Sequence, residues 1–337
     1  MRRKLLSVDE YVAGIIAGDR VVLGQAITLV ESAREAHIDI AEAVLERLGE
    51  LGQERINRSI RIAITGSPGV GKSTFIEALG LWLAEQGKKV AVLAIDPSSA
   101  LSKGSILGDK TRMDRLSVSE RAFIRPSPAG STLGGVAQKT RETILLTEAA
   151  GFEVILVETV GVGQSEMEAR RMCDIFMLLL LPGAGDELQG IKRGIVEMAD
   201  ILVVNKADGD RQKLAAMAQA HYRNAVHLQA PHPGGWAPQV LTASATTHTG
   251  IEKIWNTILE YHTTTTENGY WAQNRRQQAH FWLHEALAAG LRRLLYEHPF
   301  IQSELMALEP AVVAGRISPY AAARRILVQF KNTFLKQ

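Results

Sequence analysis

The chain has 337 residues, 46% hydrophobic and 22% charged, which is enough for one large α/β domain with smaller helical additions. Lys plus Arg number 38 and Asp plus Glu 36, so the net charge of +2 gives no global case for nucleic acid or an anionic membrane as a partner. The single cysteine, Cys173, excludes an intramolecular disulfide and a cysteine-rich metal site. Its apolar surroundings predict a buried, inert thiol.

Neither the N-terminal sequence nor the longest apolar run suggests a membrane segment. The longest apolar run, 175–181, is strand-sized and stops at Pro182. The N-terminus MRRKLL is followed at once by SVDEY, so no signal-peptide apolar region develops. We therefore expect a cytoplasmic protein.

Taken in chain order, the elements begin with helices and then change character. Residues 7–52 carry apolar side chains at helical spacing. From Arg61, short apolar runs alternate with helical segments. The runs are RIAIT, KVAVLAID, AFIRPS, EVILVET, DIFMLLLLP, DILVVNKAD and QVLTASA. Their Val, Ile and Leu content without strict alternation predicts strands covered on both faces, in a doubly wound, mainly parallel sheet.

Past Ile251 the pattern is helical again. The segment IEKIWNTILEYH is followed by a predicted polar link, TTTTENG, and then by helical sequence from Trp271 to the end. These changes divide the chain into an N-terminal helical extension, a nucleotide-binding α/β domain and a C-terminal helical arm. The predicted boundaries are 1–55, 56–265 and 266–337.

A glycine-rich phosphate loop follows the first predicted strand. The stretch GSPGVGKS from Gly66 to Ser73 fits G-x-x-x-x-G-K-[ST] and opens a helix, which is the context that this motif needs. Backbone N–H groups and Lys72 would hold the phosphates, and the hydroxyl of Ser73 would ligate Mg²⁺. A bare strand-to-helix turn is the weaker alternative. The predicted phosphate-loop residues are Gly66, Ser67, Pro68, Gly69, Val70, Gly71, Lys72, Ser73 and Thr74.

The sequence N-K-x-D, at the end of a later predicted strand, selects the base. The carboxylate of Asp208 can accept hydrogen bonds from the ring N–H and the exocyclic amine of guanine, whereas adenine offers an acceptor there. Asn205 can tie neighbouring loops together, and the stem of Lys206 can lie along the base. Downstream, Ser244 and Ala245 in TASATT stand where a backbone N–H can read the guanine carbonyl. The predicted ligand is GTP or GDP.

Acidic side chains supply candidate magnesium ligands. In the run ETVG, Glu158 stands where most P-loop GTPases have aspartate, and Gly161 can present its N–H to the γ-phosphate. Asp96, in AIDPSS, and Asp109, in LGDKTRM, are further candidates, directly or through water. The alternative for these two is that Asp96 caps a turn and Asp109 caps a helix. The predicted metal set is Ser73, Asp96, Asp109 and Glu158.

Hydrolysis requires a group that orients the attacking water. Small signalling GTPases place a glutamine directly after the D-x-x-G glycine, but here that residue is Val162. An aliphatic side chain cannot orient water, so we expect slow intrinsic turnover unless Gln164, Lys192 or a partner completes the site. The predicted catalytic residues are Lys72, Glu158, Gln164 and Lys192.

Several segments together resemble one family. GSPGVGKST, AIDPSS, LGDKTRM, ETVGVGQSE, GDELQGIKRG and NKADGD are similar to the MeaB/ArgK family of P-loop GTPases, relatives of the human methylmalonic aciduria type A protein. The likeness covers essentially the whole chain and includes the enterobacterial ArgK members. It implies a SIMIBI-class GTPase that forms homodimers through its C-terminal arm and acts as a chaperone of adenosylcobalamin-dependent methylmalonyl-CoA mutase. It also implies that Lys192, in GDELQGIK, approaches the nucleotide when the mutase docks.

Three other functions are compatible with parts of the sequence. The same family has been interpreted as a kinase or ATPase linked to arginine and ornithine transport. The N-K-x-D sequence, which selects guanine, argues against that interpretation. A metallochaperone GTPase would need Cys and His ligands, and the chain has one cysteine and scattered histidines. The third function is a binding module that does not hydrolyse GTP. A GTPase assay with the partner present would distinguish such a module from an enzyme. No segment shows a cobalamin contact.

Overall fold

The computed structural model describes residues 5–32, 34–51, 58–95, 113–126, 133–159, 165–183, 193–228 and 232–334. The chain divides into two compact units, Met1–Arg276 and Gln277–Gln337. Within the described ranges, no helix combines the length and the apolar character that crossing a membrane requires.

Among the described residues before the sheet there are three helices, as the spacing of apolar residues predicts. They are α1 (Val8–Ile16), α2 (Arg20–Val30) and α3 (Glu35–Leu51). Ser7 and Glu10 form a capping box at the start of α1, and the carboxylate of Asp19 accepts from the first amides of α2. Each helix buries an apolar stripe, including Ile15 and Ile27, so the three helices pack on one another.

In the part of the chain that the structure describes, seven strands form one sheet, and all seven predicted runs supply a strand. The strands are β1 (Ile60–Gly66), β2 (Val90–Ile95), β3 (Ala122–Arg125), β4 (Val154–Thr159), β5 (Ile175–Leu180), β6 (Ile201–Val204) and β7 (Gln239–Thr242). Their order is β3-β2-β4-β1-β5-β6-β7, and each of the six pairings is parallel. The predicted doubly wound parallel sheet is confirmed. Because β1 is central, the loop that follows it lies at the middle of the carboxyl edge, where such sheets bind ligands.

Helices cover the sheet and bury its strands. They are α4 (Lys72–Glu85), α5 (Asp114–Ser117), α6 (Leu133–Ala149), α7 (Ser165–Arg170), α8 (Arg193–Glu197), α9 (Gln212–His227) and α10 (Ile251–Glu267). Both faces of β1, β5 and β6 are buried, which explains their continuous apolar runs. Cys173, directly before β5, is fully buried. The predicted burial is confirmed, and it raises the pKa of the thiol, which favours the protonated, less reactive form.

The C-terminal helices are α11 (Tyr270–Glu297), α12 (Pro299–Val313) and α13 (Pro319–Phe334). The prediction of a polar link at TTTTENG was wrong for its threonines, because α10 continues to Glu267. Thr265 is buried and its hydroxyl donates to the carbonyl of Tyr261 at 2.7 Å, which satisfies the side chain inside the helix. The link is reduced to Asn268 and Gly269, and the latter has φ +80°.

A buried charge network lies where β1 and β5 begin. The carboxylate of Asp174 accepts from Nε and Nη2 of Arg275, each at 2.7 Å, and from the amide of Arg61 at 2.9 Å. The guanidinium of Arg61 donates to both oxygens of Glu148, at 2.6 and 2.8 Å. Burial opposes ionisation of Asp174, but Arg275 and Arg61 outweigh it and hold its pKa below its usual range. The network fixes the start of β1 and the first turns of α11.

Candidate nucleotide-binding site

The phosphate loop joins β1 to α4 through glycines that no other residue could replace without strain. Gly66 has φ +153°, and a Cβ built there would lie 2.6 Å from the carbonyl oxygen of Leu179 in β5. Gly71 has φ +92° and is the N-cap of α4. These glycines let the backbone turn sharply between the strand and the helix. Within the described residues no side chain caps the start of α4, so its first amides can bind an anion.

Lys72 lies over the phosphate loop. Its Nζ donates to the carbonyl of Gly66 at 2.8 Å and to that of Ser67 at 3.3 Å. Burial lowers the pKa of Lys72, while the carboxylates of Glu158 and Glu166 act in the opposite direction. The amine therefore stands at the loop as a donor that can exchange carbonyl oxygens for phosphate oxygens.

Ser73 and Glu158 meet although they are distant in sequence. The hydroxyl of Ser73 donates to Oε1 of Glu158 at 3.0 Å. The parallel pairing of β1 with β4 produces this contact, because it sets Glu158 beside Ile64, two residues before the phosphate loop begins. Two oxygen donors thus converge at the first turn of α4, and oxygen is what Mg²⁺ prefers.

Sequence reasoning missed a buried polar group beneath this pair. The hydroxyl of Thr159 donates to that of Thr65 at 2.8 Å, and the hydroxyl of Thr65 lies 3.5 Å from Oε1 of Glu166. All three side chains are buried. The only sequence signal is that Glu166 follows the E-T-V-G segment by a few residues, which does not reveal burial. Glu166 places a second carboxylate within electrostatic range of Lys72.

The N-K-x-D segment follows β6 and holds the phosphate loop. Nδ2 of Asn205 donates to the carbonyl of Val70 at 2.9 Å, and Nζ of Lys206 donates to that of Gly69 at 2.7 Å. Lys206 has φ +58°, an uncommon conformation for a residue with a side chain. Oδ1 of Asn205 is buried and has no hydrogen-bond partner within the described part of the chain. Such an acceptor can be satisfied by a bound ligand or water.

Asp208 is an ionised acceptor held by hydroxyl groups. Its Oδ2 accepts from the hydroxyl of Ser244 and from that of Thr246, the latter at 3.1 Å. The hydrogen bond from Ser244 is the main reason that the pKa of Asp208 lies below its usual range. The amide of Ala207 donates to the carbonyl of Ala243 at 2.9 Å, which joins the two loops.

One pocket brings the predicted phosphate and guanine residues together. It measures about 230 Å³ and lies where the loops after β1, β6 and β7 meet. Its lining residues are Gly71, Thr74, Asn205, Lys206, Asp208, Arg211, Ala245 and Thr246. Arg211 and Thr246 were not predicted, although each lies within three residues of one that was. A larger hollow of about 370 Å³ includes Ser59 and Lys89, where strands begin, and so lies away from the ligand edge of the sheet.

Several predicted site residues lie outside the described ranges, so their positions remain predictions. They fall in the stretches of chain between β2 and α5, between β4 and α7, and between β5 and α8. These residues are Asp96, Asp109, Gly161, Gln164 and Lys192. Val162 also lies outside the described ranges.

A parallel sheet with a central phosphate loop, and an N-K-x-D loop beside it, define a P-loop GTPase of the SIMIBI class. Residues 23–298 match the family model described as methylmalonyl Co-A mutase-associated GTPase MeaB. The chain belongs to this family, as its resemblance predicts, and it is a GTPase.

Relatives of the chain match nearly its whole length. A putative GTPase from Caulobacter vibrioides is 50% identical and covers 96% of this chain and 98% of its own. The mitochondrial methylmalonic aciduria type A homolog of Mus musculus is 43% identical, over 96% of this chain and 80% of its own. GTPase ArgK of Escherichia coli is 42% identical, over 95% and 96%. A crystal structure described as a LAO/AO transport system kinase has a TM-score of 0.74 and 36% identity, covering 98% of this chain and 100% of its own.

Proposed function

We propose that the 230 Å³ pocket binds the guanine end of GTP and GDP and discriminates against ATP. The observation that carries this proposal is the place of the Asp208 carboxylate on the pocket wall beside Asn205 and Lys206, where the hydroxyls of Ser244 and Thr246 hold it. Guanine offers two N–H donors to such an acceptor, whereas adenine offers a lone pair. Where binding of the base buries such a carboxylate, a base that leaves it unpaired is rejected by about 10⁴–10⁵.

A competition titration tests the choice of base. Unlabelled GDP, GTP, ADP and ATP are each added to the protein carrying a fluorescent guanine nucleotide. We expect displacement by the two guanine nucleotides at far lower concentrations than by the adenine nucleotides. Equal displacement by ATP and GTP would contradict the proposal.

We propose that Mg²⁺ accompanies the nucleotide. The hydroxyl of Ser73 and the carboxylate of Glu158, 3.0 Å apart, are the described oxygens that fit it. Asp96 and Asp109 are proposed to complete the shell, directly or through water. The ion would offset the negative charge of the phosphates. Lys72 would add its amine to the β- and γ-phosphate oxygens, and the N–H of Gly161 would meet the γ-phosphate.

The rate of hydrolysis is proposed to depend on a partner. Val162 occupies the position where small signalling GTPases carry a water-orienting glutamine, so turnover by the isolated protein is expected to be slow. Gln164 or Lys192 would complete the site when the partner docks. A lysine supplied in this way would stabilise charge on the transferred phosphoryl group.

The proposed partner is adenosylcobalamin-dependent methylmalonyl-CoA mutase. This proposal is supported by the description of the family model and by the methylmalonic aciduria type A name of the mouse relative. The chain would act as a chaperone that gates cofactor loading and protects or reactivates the mutase. Purified mutase should co-elute with the GTP-bound protein and alter its turnover. A mutase that neither binds the protein nor changes its GTPase rate would contradict this role while leaving guanine binding intact.

The helical arm is proposed to form a homodimer. On α11, Leu283, Leu287, Leu291 and Leu294 recur every three or four residues and are 67%, 59%, 59% and 68% exposed. An apolar stripe of this length is typical of a surface that a second helix covers. Light scattering should give the mass of a dimer, and Leu287→Glu should give that of a monomer with unchanged helix content. A monomer mass for the parent chain at micromolar concentration would contradict the proposal.

A transport-linked kinase is the second candidate, because the solved relative is described in those words. A kinase that uses ATP has no need of a carboxylate that accepts from the guanine amine, so the competition titration separates the two candidates.

A further inference from the structure

Two histidines face each other one turn apart on α11. Nε2 of His280 and Nε2 of His284 are separated by 3.3 Å, and the ring centroids by 4.5 Å. Both side chains are exposed, and both lie in the unit Gln277–Gln337. Residues four apart on a helix lie on the same face, so the helix itself holds the two rings together.

The hydrogen bond between the two neutral rings contains a single proton, which lies on one of the two Nε2 atoms. A neutral imidazole carries a proton on only one nitrogen, so one Nε2–H donates and the other Nε2 offers its lone pair. If the donor ring moves its proton to Nδ1, both Nε2 atoms carry a lone pair on the side where the two rings meet. This change of tautomer requires no net gain or loss of protons.

The separation of the nitrogens matches one type of metal geometry. Zinc–imidazole bonds are about 2.0–2.1 Å long, and two such bonds that span 3.3 Å enclose an angle of about 104–111°. That interval contains the tetrahedral angle of about 109° that zinc adopts. The right angle of octahedral or square-planar ions would need nitrogens about 2.9 Å apart.

We propose that His280 and His284 form a chelating site for one tetrahedral divalent transition-metal ion per chain, with Zn²⁺ as the preferred ion. Water fills the other two positions in the monomer. His280 lies on the same face of α11 as Leu287 and Leu291, which the proposed homodimer would cover, so the site belongs to the monomeric form. The site is distinct from the proposed Mg²⁺ position at Ser73 and Glu158, where the donors are oxygens and the preferred ion is hard. Protons compete for the ring nitrogens, so binding weakens as the pH falls.

A zinc titration by calorimetry measures the stoichiometry and affinity, on nucleotide-free full-length protein without Mg²⁺ that is made monomeric by Leu294→Glu, a change in the same leucine stripe but out of reach of His284. We expect one site that weakens at least about tenfold in His280→Ala and in His284→Ala, since each change removes one of two protein ligands. The matched control is His227→Ala, which removes a lone exposed histidine at the end of α9 and should leave zinc affinity unchanged.

Two further measurements exclude trivial outcomes. Circular dichroism and GDP affinity should be the same for all three variants, because the altered side chains are exposed. Co²⁺, used as a spectroscopic substitute, should give the intense visible bands of tetrahedral coordination in the parent chain and lose them in both helix α11 variants. Zinc affinity that is equal in the parent and both α11 variants, or an octahedral Co²⁺ spectrum, would overturn the proposal.

Discussion

Asp174→Asn should destabilise the first compact unit without altering the nucleotide site. Asp174 is 1% exposed, and its two oxygens accept three hydrogen bonds, two from Arg275 and one from the amide of Arg61. Asparagine keeps the shape of the side chain and removes its charge. In either orientation its Nδ2 meets an N–H donor, so at least one hydrogen bond becomes a repulsive contact.

The expected loss of unfolding free energy follows from the burial of this pair. Breaking a buried ion pair by removing one partner costs about 3–5 kcal/mol. Asparagine retains up to two of the three hydrogen bonds, so we expect a loss of unfolding free energy at the lower end of this range, about 3 kcal/mol. The matched control is Glu153→Gln, the same acid-to-amide change in the Lys88–Glu153 pair, whose side chains are 40% and 44% exposed. An exposed pair contributes at most about 1 kcal/mol.

Urea unfolding followed by tryptophan fluorescence measures both changes. Of the 5 tryptophans, Trp82, Trp236, Trp255 and Trp271 precede residue 277, so the signal reports chiefly on the first unit. GDP affinity should stay the same in both variants, because the partners of Asp174 lie at the end of β1 opposite the phosphate loop. Equal losses of stability in the two variants would refute the reasoning.

The same variant should alter the acid limb of the stability curve. Because the folded-state pKa of Asp174 is lowered, its contribution is fully present above its unfolded pKa of about 3.9. This contribution to stability is lost as the pH falls through the lower pKa of Asp174 in the folded state. Asp174→Asn lacks this contribution, so its stability should depend less steeply on pH in that range than that of the parent chain.

Three further predictions concern the nucleotide site. Asp208→Asn should shift the preference from guanine to xanthine nucleotides, because the amide can donate to the xanthine carbonyl. Competition titration with XDP and GDP measures this preference. An unchanged preference for GDP would count against base reading by Asp208. Lys72→Ala should abolish nucleotide binding with little change in the melting temperature of the nucleotide-free protein, and a large drop would mean that Lys72 chiefly supports the fold. Lys192→Ala should lose most of the stimulation by methylmalonyl-CoA mutase while GTP affinity stays the same. An arginine supplied in this way accelerates hydrolysis by about 10³–10⁵, and a lysine, without the guanidinium fork, by less. Full stimulation of the alanine variant would place the coupling elsewhere.

The sheet was predictable because its strands are buried on both faces and so retain unbroken runs of Val, Ile and Leu. The phosphate loop and N-K-x-D were predictable because each is a local motif with a fixed chemical role. The threonine run misled the prediction of α10, since propensity says nothing of the carbonyl of Tyr261 that accepts from Thr265.

Contacts between distant residues could not be predicted. Arg61 and Glu148 are separated by 87 positions, and Arg275 and the carbonyl of Ser59 by 216, so only the folded chain brings these groups together. The same applies to Glu166, which reads as a surface residue of a short helix and is buried against Thr65. Asn205 was predicted to tie loops together, but its partner, the carbonyl of Val70, becomes identifiable only once β1 and β6 flank β5.

The buried Cys173 has a practical consequence for labelling. Because the only native thiol of the chain is enclosed and resists ionisation, a cysteine introduced on the surface is expected to be the one that reacts with a maleimide dye. Met217, 70% exposed in the first unit, and Val313, 83% exposed in the second, are positions where such a replacement leaves the core intact. A donor and an acceptor dye at these two positions would let single-molecule energy transfer follow the distance between the two units through the GTP cycle, with the native cysteine left in place.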